Sequence, residues 1–331
     1  MKINFFPYQA HCFAFGGFEI QMLSAFDALQ KIGVDCRKTD FWSRDNSFDI
    51  AHFWGFGFPH YENFRWAKTS KKKIVMTVLL PYQESRLSGM KLALSRLVHR
   101  QRFLYEQMQL AHRIVVVNDV QKNVCCSYYR MPPEKVAIIP NIVTNNFFEA
   151  PASVPSKEKP YILSTGNICR RKNQVALCKA AIRSSTDLVI IGKILPGEEA
   201  YANEFRALAE SSPNIRWIPG LDANSGELAG YYHGCAGFAL PSYEETQPIS
   251  LLEARACRKP LLTADRPYAK QSFYSGAITV DPDSVDSISR GLQLLRSKGE
   301  YPVSGDDVIF PCRDTSVAEA YKNVYAGILN E

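Results

Sequence analysis

Residues 241–254 hold the densest chemistry in the chain. An apolar run ends at Pro241, a polar turn comes next through Ser242, Tyr243, Glu244, Glu245, Thr246 and Gln247, and a helical pattern opens near Pro248. A helix start presents unpaired backbone N–H groups and partial positive charge, so it favours an anion. Proline suits that first turn because its missing N–H is not needed there. The amides of Ile249, Ser250 and Leu251 are therefore expected to be free, and a diphosphate fits them. Glu245 stands in the turn, and Glu253 lies about five residues inside the helix, roughly 7.5 Å along its axis. Carboxylates so spaced reach different parts of one elongated ligand, and their oxygens accept hydrogen bonds from sugar hydroxyls. An acidic helix start followed by an ordinary surface Glu would give the same pattern.

A second polar group comes after another expected strand. Gly166 permits a tight turn, Asn167 is next to it, and Arg170, Arg171 and Lys172 cluster before the next helix. These cations either neutralise phosphate charge on a leaving group or form a solvated basic loop. Gly16 and Gly17, after the first strand, let backbone approach a ligand closely. The full dinucleotide fingerprint is missing there, which argues against a nicotinamide-dependent dehydrogenase. Asp281 and Asp283 resemble a metal-binding pair, but their place before a helix at Val285 reads as a turn and N-cap. The six His show no ligand spacing, and His52 and His60 flank an aromatic stretch better suited to packing. No bound metal is expected.

These groups need strands to aim them and helices to back them. In the first half, strands are expected at 3–6, 50–53, 74–80, 114–118 and 136–140, and helices at 18–31, 87–111 and 120–129. In the second half, strands are expected at 161–165, 188–192, 215–218, 237–241, 261–264 and 277–280. Helices are expected there at 173–184, 201–211, 226–234, 248–257 and 285–295, with a last one at 316–329. The Pro-, Ser- and charge-rich stretch 149–159 reads as a linker. Such alternation gives parallel sheets covered by helices, with ligands at the carboxyl ends of the strands. The expectation is an α/β protein of two Rossmann-like lobes facing a central cleft. The lobes would be 1–148 and 160–314, with a C-terminal helix at 315–331 returning to the first.

The chain has 331 residues, 46% hydrophobic and 22% charged, which excludes a disordered chain or a coiled coil. No apolar run nears the roughly 20 residues that span a bilayer. Nine Cys without a Cys-x-x-Cys pair point to a reducing compartment and mostly buried thiols. Lys2 is the only early positive charge, and Pro7, Gln9 and His11 interrupt the apolar run after it, so no secretory leader is expected and the location reads as cytoplasmic. Residues 1–150 carry 19 Lys and Arg against 12 Asp and Glu, and the remainder carry 20 against 21. The first half thus holds the whole positive excess and suits an anionic partner: nucleic acid, a phospholipid surface or a phosphorylated substrate.

Taken in order, these constellations resemble the retaining, nucleotide-sugar-dependent glycosyltransferases of group 1 (family 4), which have the GT-B fold. The residues that carry the resemblance are Glu245 and Glu253 with seven residues between them, the strand 260–265, the Gly16–Gly17 loop with Glu19, the strand 49–52, the stretch 138–143 and the loop 166–172. The resemblance implies a UDP- or GDP-sugar donor in the C-terminal lobe, with no cofactor or metal besides. It implies that Glu253 takes the ribose hydroxyls and Glu245 the sugar-ring hydroxyls. It implies that the amides around 249–252 and Lys172 hold the diphosphate, approached by Gly16 and Gly17, with the base stacked near Ile218. No nucleic acid is implied.

Three positions depart from the family pattern. Asn167 stands where the family often has Arg, so Arg170 or Arg171 supplies the charge, and Arg171 is preferred. Leu79 stands near a usual His. Thr246, Gln247 and Pro248 replace Gly-Phe-Gly, so Gln247 could read a sugar hydroxyl. The expected reaction moves a hexose, with UDP-glucose favoured, to a saccharide or lipid-linked saccharide acceptor in polysaccharide or glycolipid synthesis. Glu245, Lys172 and Arg171 are the expected catalytic residues. Lys71–Lys73 and Arg86, Lys91, Arg96, Arg100 and Arg102 form either a contact with an anionic membrane or a plain solvated face. Two other readings use the same fold: a nucleotide-sugar epimerase and a non-catalytic two-lobed sugar-nucleotide binding protein.

Overall fold

Short runs rich in Ile, Val, Leu and Phe become strands, and amphipathic segments between them become helices that cover both sheet faces. The computed structural model describes residues 1–13, 16–80, 99–149, 159–223, 225–300 and 308–331. They form two compact units, Met1–Ile142 with Pro311–Glu331, and Val143–Phe310. The first exchange falls at 142–143, ahead of the expected linker, whose residues 150–158 lie outside the described residues.

The first unit is built on a parallel sheet of β1 (Lys2–Phe6), β2 (Asp35–Lys38), β3 (Ile50–Trp54), β4 (Lys73–Thr77), β5 (Arg113–Val116) and β6 (Val136–Ile138). Their order is β2-β1-β3-β4-β5-β6. The helices are α1 (Gly17–Lys31), α2 (Tyr61–Thr69), α3 (His99–Leu110), α4 (Asp119–Ser127) and the C-terminal helix Asp314–Asn330. β2 and α2 were not anticipated. β2 is an edge strand that buries only Cys36, so it carries almost no apolar signal. The part of the expected 87–111 helix before His99 lies outside the described residues, as do Arg86, Lys91 and Arg96. Within the Lys71–Lys73 cluster, the Lys72 ammonium donates to the carbonyls of Asn46 (2.5 Å) and Phe48 (2.7 Å), so it ties down a loop. No helix of the described residues is long and apolar enough to cross a membrane.

The C-terminal helix is joined to this sheet by a polar cluster. His52, fully buried on β3, has Nδ1 2.7 Å from the Tyr325 hydroxyl and Nε2 2.8 Å from Thr77 Oγ1 on β4. Thr77 Oγ1 in turn lies 3.2 Å from the Tyr321 hydroxyl. Burial pushes the His52 imidazole down to about 3, so it is neutral, with one ring nitrogen donating and the other accepting. His60 is likewise buried, held down to about 4 by burial, and Nε2 is 3.2 Å from the Trp54 carbonyl oxygen. Both histidines therefore serve packing, as their aromatic surroundings indicate.

The second unit is built on β7 (Ile162–Thr165), β8 (Leu188–Ile191), β9 (Ile215–Ile218), β10 (Gly237–Leu240), β11 (Leu261–Ala264) and β12 (Ile278–Val280). Helices α5 (Asn145–Phe148), α6 (Gln174–Arg183), α7 (Glu199–Ser211), α8 (Gly226–Gly234), α9 (Ile249–Ala256) and α10 (Val285–Ser297) accompany them. The parallel order is β12-β11-β10-β7-β8-β9. β7 therefore has β8 on one side and β10 on the other, and the winding reverses between β7 and β10. In open parallel sheets that reversal leaves a crevice at the carboxyl ends of the two strands. All nine cysteines are unpaired and seven are buried, in keeping with the thiol reading of the sequence.

The His52 cluster makes a testable claim about the first unit. Tyr325→Phe leaves His52 Nδ1 without its partner and should cost about 1–3 kcal/mol in urea unfolding; an unchanged midpoint would contradict the role of this contact. The folded pKa of His52 lies below the unfolded value near 6.5, so the unfolded state takes the proton first. This contribution to stability is complete above pH 6.5 and is lost as pH falls toward about 3, by about 1.4 kcal/mol per pH unit.

Candidate functional site

The loops that leave β7 and β10 meet at the reversal point. After β7, Gly166 turns with φ of +135°, a backbone state that side chains disfavour, and a Cβ there would lie 3.3 Å from Lys172 Cε. Gly192 at the end of β8 is also obligatory, because a Cβ would fall 1.9 Å from the Gly166 carbonyl oxygen. Gln174 pins the intervening loop by donating Nε2–H to the Asn167 carbonyl (2.8 Å) and accepting from the Cys169 amide (3.3 Å). Arg170–Lys172 form one 3-10 turn that ends on Asn173 in the left-handed region, with φ of 62°. Asn173 tolerates that state because its buried amide donates to the Pro241 (3.2 Å) and Pro282 (2.8 Å) carbonyls. The turn bearing Lys172 is thereby locked to the loop after β10.

That lock delivers two cations to one carboxylate. Glu245 Oε1 lies 2.6 Å from Lys172 Nζ and 2.9 Å from Arg171, and the Glu245 side chain is 9% exposed. Arg171 also donates to the Glu244 carbonyl (2.6 Å). Arg170 instead sits over the Tyr201 ring, so Arg171 is the arginine that joins Lys172 at Glu245. Burial by itself would raise the Glu245 carboxyl, but Lys172 and Arg171 outweigh it and hold the group below its ordinary value. One negative and two positive charges leave a net positive locus, which suits a polyanion.

The helix start beside this locus differs from the expectation in one amide. Pro248 is the N-cap of α9, so its carbonyl accepts from the Leu251 (3.1 Å) and Leu252 (3.3 Å) amides. Leu251 N–H is therefore engaged, a correction to the three free amides expected. Ile249 and Ser250 come earlier in the turn, and no acceptor for their amides occurs among the described residues. Gln247 also departs from expectation. It is buried, and its Nε2–H donates to Gln271 Oε1 (3.2 Å), while Gln271 donates to the Thr246 (2.9 Å) and Tyr268 (2.8 Å) carbonyls. This bond holds one amide hydrogen of Gln247 inside the turn.

Glu253, one turn into α9, is buried, and burial raises its carboxyl to about 7, against the opposing pull of a Tyr232 hydrogen bond and the Lys172 charge. Its Oε2 accepts from the Tyr232 hydroxyl at 2.6 Å, and that hydroxyl lies 2.5 Å from Thr165 Oγ1 at the end of β7. Ile218 ends β9, two strands from β7 and so roughly 10 Å along the same carboxyl edge. Its carbonyl accepts from the Gly192 (3.0 Å) and Gly220 (2.7 Å) amides. Gly16 and Gly17 belong to the first unit. Gly16 caps α1, and its N–H donates to Glu19 Oε2 (2.9 Å), while Glu19 Oε1 accepts from Gln9 (3.1 Å). Asp281 accepts from the Asp283 amide (3.0 Å) and Asp283 from Arg266 (3.1 Å), within the turn that Ser284 closes as N-cap of α10. Among the described residues, no group of three or more His, Cys, Asp or Glu could hold a metal ion.

The second unit thus gathers Gly166, Asn167, Arg171, Lys172, Glu245, Ile249, Ser250 and Glu253 around the β7–β10 reversal. Sequence reasoning missed Asn173, Gly192, Thr165 and Tyr232. Only Asn173 carried a local signal, an Asn directly before a helix. Replacing it tests the lock: Asn173→Ala loses both carbonyl contacts and places Ala in the left-handed region, at an expected cost of about 2–4 kcal/mol to folding stability. Asn173→Gly relieves the backbone and should cost measurably less. Equal losses in thermal unfolding would contradict a left-handed constraint at this residue.

Comparison with known proteins places this geometry in a family. Residues 146–304 match the model of the glycosyl transferases group 1, and residues 22–146 match that of glycosyltransferase family 4. An alpha-galactosylglucosyldiacylglycerol synthase of Streptococcus pneumoniae is 26% identical over 249 residues, covering 66% of this chain and 60% of that protein. The chain therefore spans less than two thirds of that relative's length. The structure of Anabaena HepE in complex with UDP superposes with a TM-score of 0.71 at 12% identity over 100% of both chains. Sucrose-phosphate synthase of Thermosynechococcus elongatus gives 0.71 at 13% identity, again over 100% of both. A UDP-GlcNAc 2-epimerase of Methanocaldococcus jannaschii gives 0.61 at 10%, covering 99% and 100%, so the fold alone does not separate transferase from epimerase. The family models do, and between them they run from residue 22 to residue 304: the chain is a glycosyltransferase and belongs to the group 1 glycosyltransferases of GT-B fold.

Proposed function

We propose that this glycosyltransferase moves a hexose from a UDP-sugar, UDP-glucose being favoured over a GDP-sugar, to a saccharide or lipid-linked saccharide acceptor with retention of configuration. The observation that carries the reading is the meeting of Lys172, Arg171 and Glu245 with the open Ile249 and Ser250 amides at the β7–β10 reversal. The fold relative HepE, described in complex with UDP and with UDP-glucose, supports the choice of nucleotide and sugar. The pneumococcal relative, named for a galactosylglucosyldiacylglycerol, supports a lipid-borne hexose as acceptor and a role in glycolipid synthesis.

In this reading the diphosphate lies across the Ile249 and Ser250 amides, with Lys172 and Arg171 as counter-charges. As the anomeric C–O bond lengthens, positive charge develops on the sugar and negative charge on the leaving UDP. Groups already aimed at that charge need no reorganisation, and each can contribute about 3–4 kcal/mol. Glu245 faces the sugar hydroxyls, Glu253 the ribose hydroxyls, and the Ile218 edge the base. Retaining glycosidases use two carboxylates about 5 Å apart to form a covalent intermediate. Here Glu245 is bound to two cations and Glu253 to Tyr232, so they hold different parts of the donor. Retention then results from attack on the face that the diphosphate leaves, with the acceptor proton passing to the departing phosphate oxygen.

The test is a donor panel of UDP-glucose, UDP-galactose, UDP-N-acetylglucosamine and GDP-mannose, read by thermal shift and by slow donor hydrolysis. A donor at 100 times its Kd should stabilise the protein by about 2.7 kcal/mol. UDP-glucose should give the largest shift, Glu253→Ala should abolish it, and Lys172→Ala should suppress hydrolysis at least a hundredfold. A shift that survives Glu253→Ala, or a preference for GDP-mannose, would contradict the proposal.

A further inference from the structure

A buried carboxylate that must grip a ligand needs something to aim it. We infer that Tyr232, relayed from Thr165, is a positioning residue that holds Glu253 charged and oriented toward the donor. The inference rests on the ribose role proposed for Glu253 and adds the residues that make that role workable. Tyr232 is fully buried, stacked on Phe238 at 5.3 Å and met edge-on by Phe147 at 5.1 Å, so its hydroxyl has a fixed place. A phenol has one proton to give. That proton goes to Glu253 Oε2 at 2.6 Å, so the Thr165 hydroxyl must donate to the Tyr232 oxygen at 2.5 Å. The donation commits Oε2 and leaves Oε1 for a ligand hydroxyl. Thr165 is the last residue of β7, so the relay ties the Glu253 carboxylate to the strand that opens the phosphate loop.

Among the described residues, three charged or titratable groups act on or lie beside Glu253. Lys172 acts on it from the loop after β7, Tyr232 donates from α8, and Cys257 beyond the end of α9 is a neutral thiol pushed up by burial. Burial drives the carboxyl toward its neutral form, while the Tyr232 bond and the Lys172 charge oppose it. Among the described residues, removing the Tyr232 hydroxyl removes one of two opposing influences. A protonated Glu253 would offer a ligand fewer acceptor sites.

The experiment is calorimetric titration of the full chain with UDP from pH 6 to pH 9, for wild type, Tyr232→Phe, Thr165→Val and Glu253→Gln. The phosphate of UDP titrates identically in every case, so differences between variants belong to the protein. Wild-type affinity should weaken on acidification. In Tyr232→Phe that limb should move up by about one pH unit, a roughly fivefold loss at pH 7 that approaches tenfold at pH 6 and recovers by pH 9. Thr165→Val should move it the same way by less, and it carries the test should Tyr232→Phe not fold. Glu253→Gln should keep only the limb that UDP itself contributes and lose at least tenfold in affinity at pH 9, with the loss shrinking on acidification. If Glu253→Gln loses binding but the other variants keep the wild-type limb, the positioning role is overturned and the ribose role stands. If Glu253→Gln binds UDP as wild type does, both fall.

Discussion

Glu245 shares its Oε1 between Lys172 at 2.6 Å and Arg171 at 2.9 Å, and the chemistry of the second unit is arranged around this contact. A carboxylate this buried stays charged only while cations stay beside it, and losing one partner would leave an uncompensated charge in a poorly solvated place. The surrounding backbone is specialised to keep the partners there. Gly166 and Gly192 let two loops cross without side chains, and Asn173 takes the left-handed turn that aims Lys172 across to the loop after β10. The parallel order that sets β7 beside β10 makes the two loops neighbours. Strand order, turn geometry and charge therefore act as one constraint, and its product is a net positive locus next to two open amides.

In the first unit the burial of His52 is met without charge. His52 is kept neutral and is satisfied by Tyr325 and Thr77, with Tyr321 completing the cluster. The result is attachment: the last helix of the chain is bound to the sheet formed by the first 142 residues. His52, whose partners are uncharged hydroxyls, holds the fold together. Where partners are cations beside open amides, the arrangement is suited to a charged ligand.

Much of this is legible in the sequence, for local reasons. Glu245, Pro248 and Glu253 fall in one strand–turn–helix segment, and Arg171 and Lys172 in another, so residue type and spacing suffice to single them out. The alternation of strands and helices likewise announces two parallel sheets. The features that escape depend on distant partners or on backbone detail. His52 and Tyr325 are 273 residues apart, and Tyr232 meets Glu253 across 21. Leu251 looks free in the pattern, but Pro248 stands one position earlier than a first helical residue, and its carbonyl takes that amide. Gln247 looks like a ligand contact, yet Gln271 is in reach and holds it inside. β2 is invisible because a single buried residue, Cys36, gives no alternation to read.

The most direct test of the central claim is a crystal structure of the protein with UDP-glucose bound. The expected density places the diphosphate on the Ile249 and Ser250 amides within hydrogen-bond distance of Lys172, with ribose at Glu253 and hexose at Glu245. Nucleotide density against the first unit's sheet, or a diphosphate remote from Lys172 and the α9 start, would contradict it.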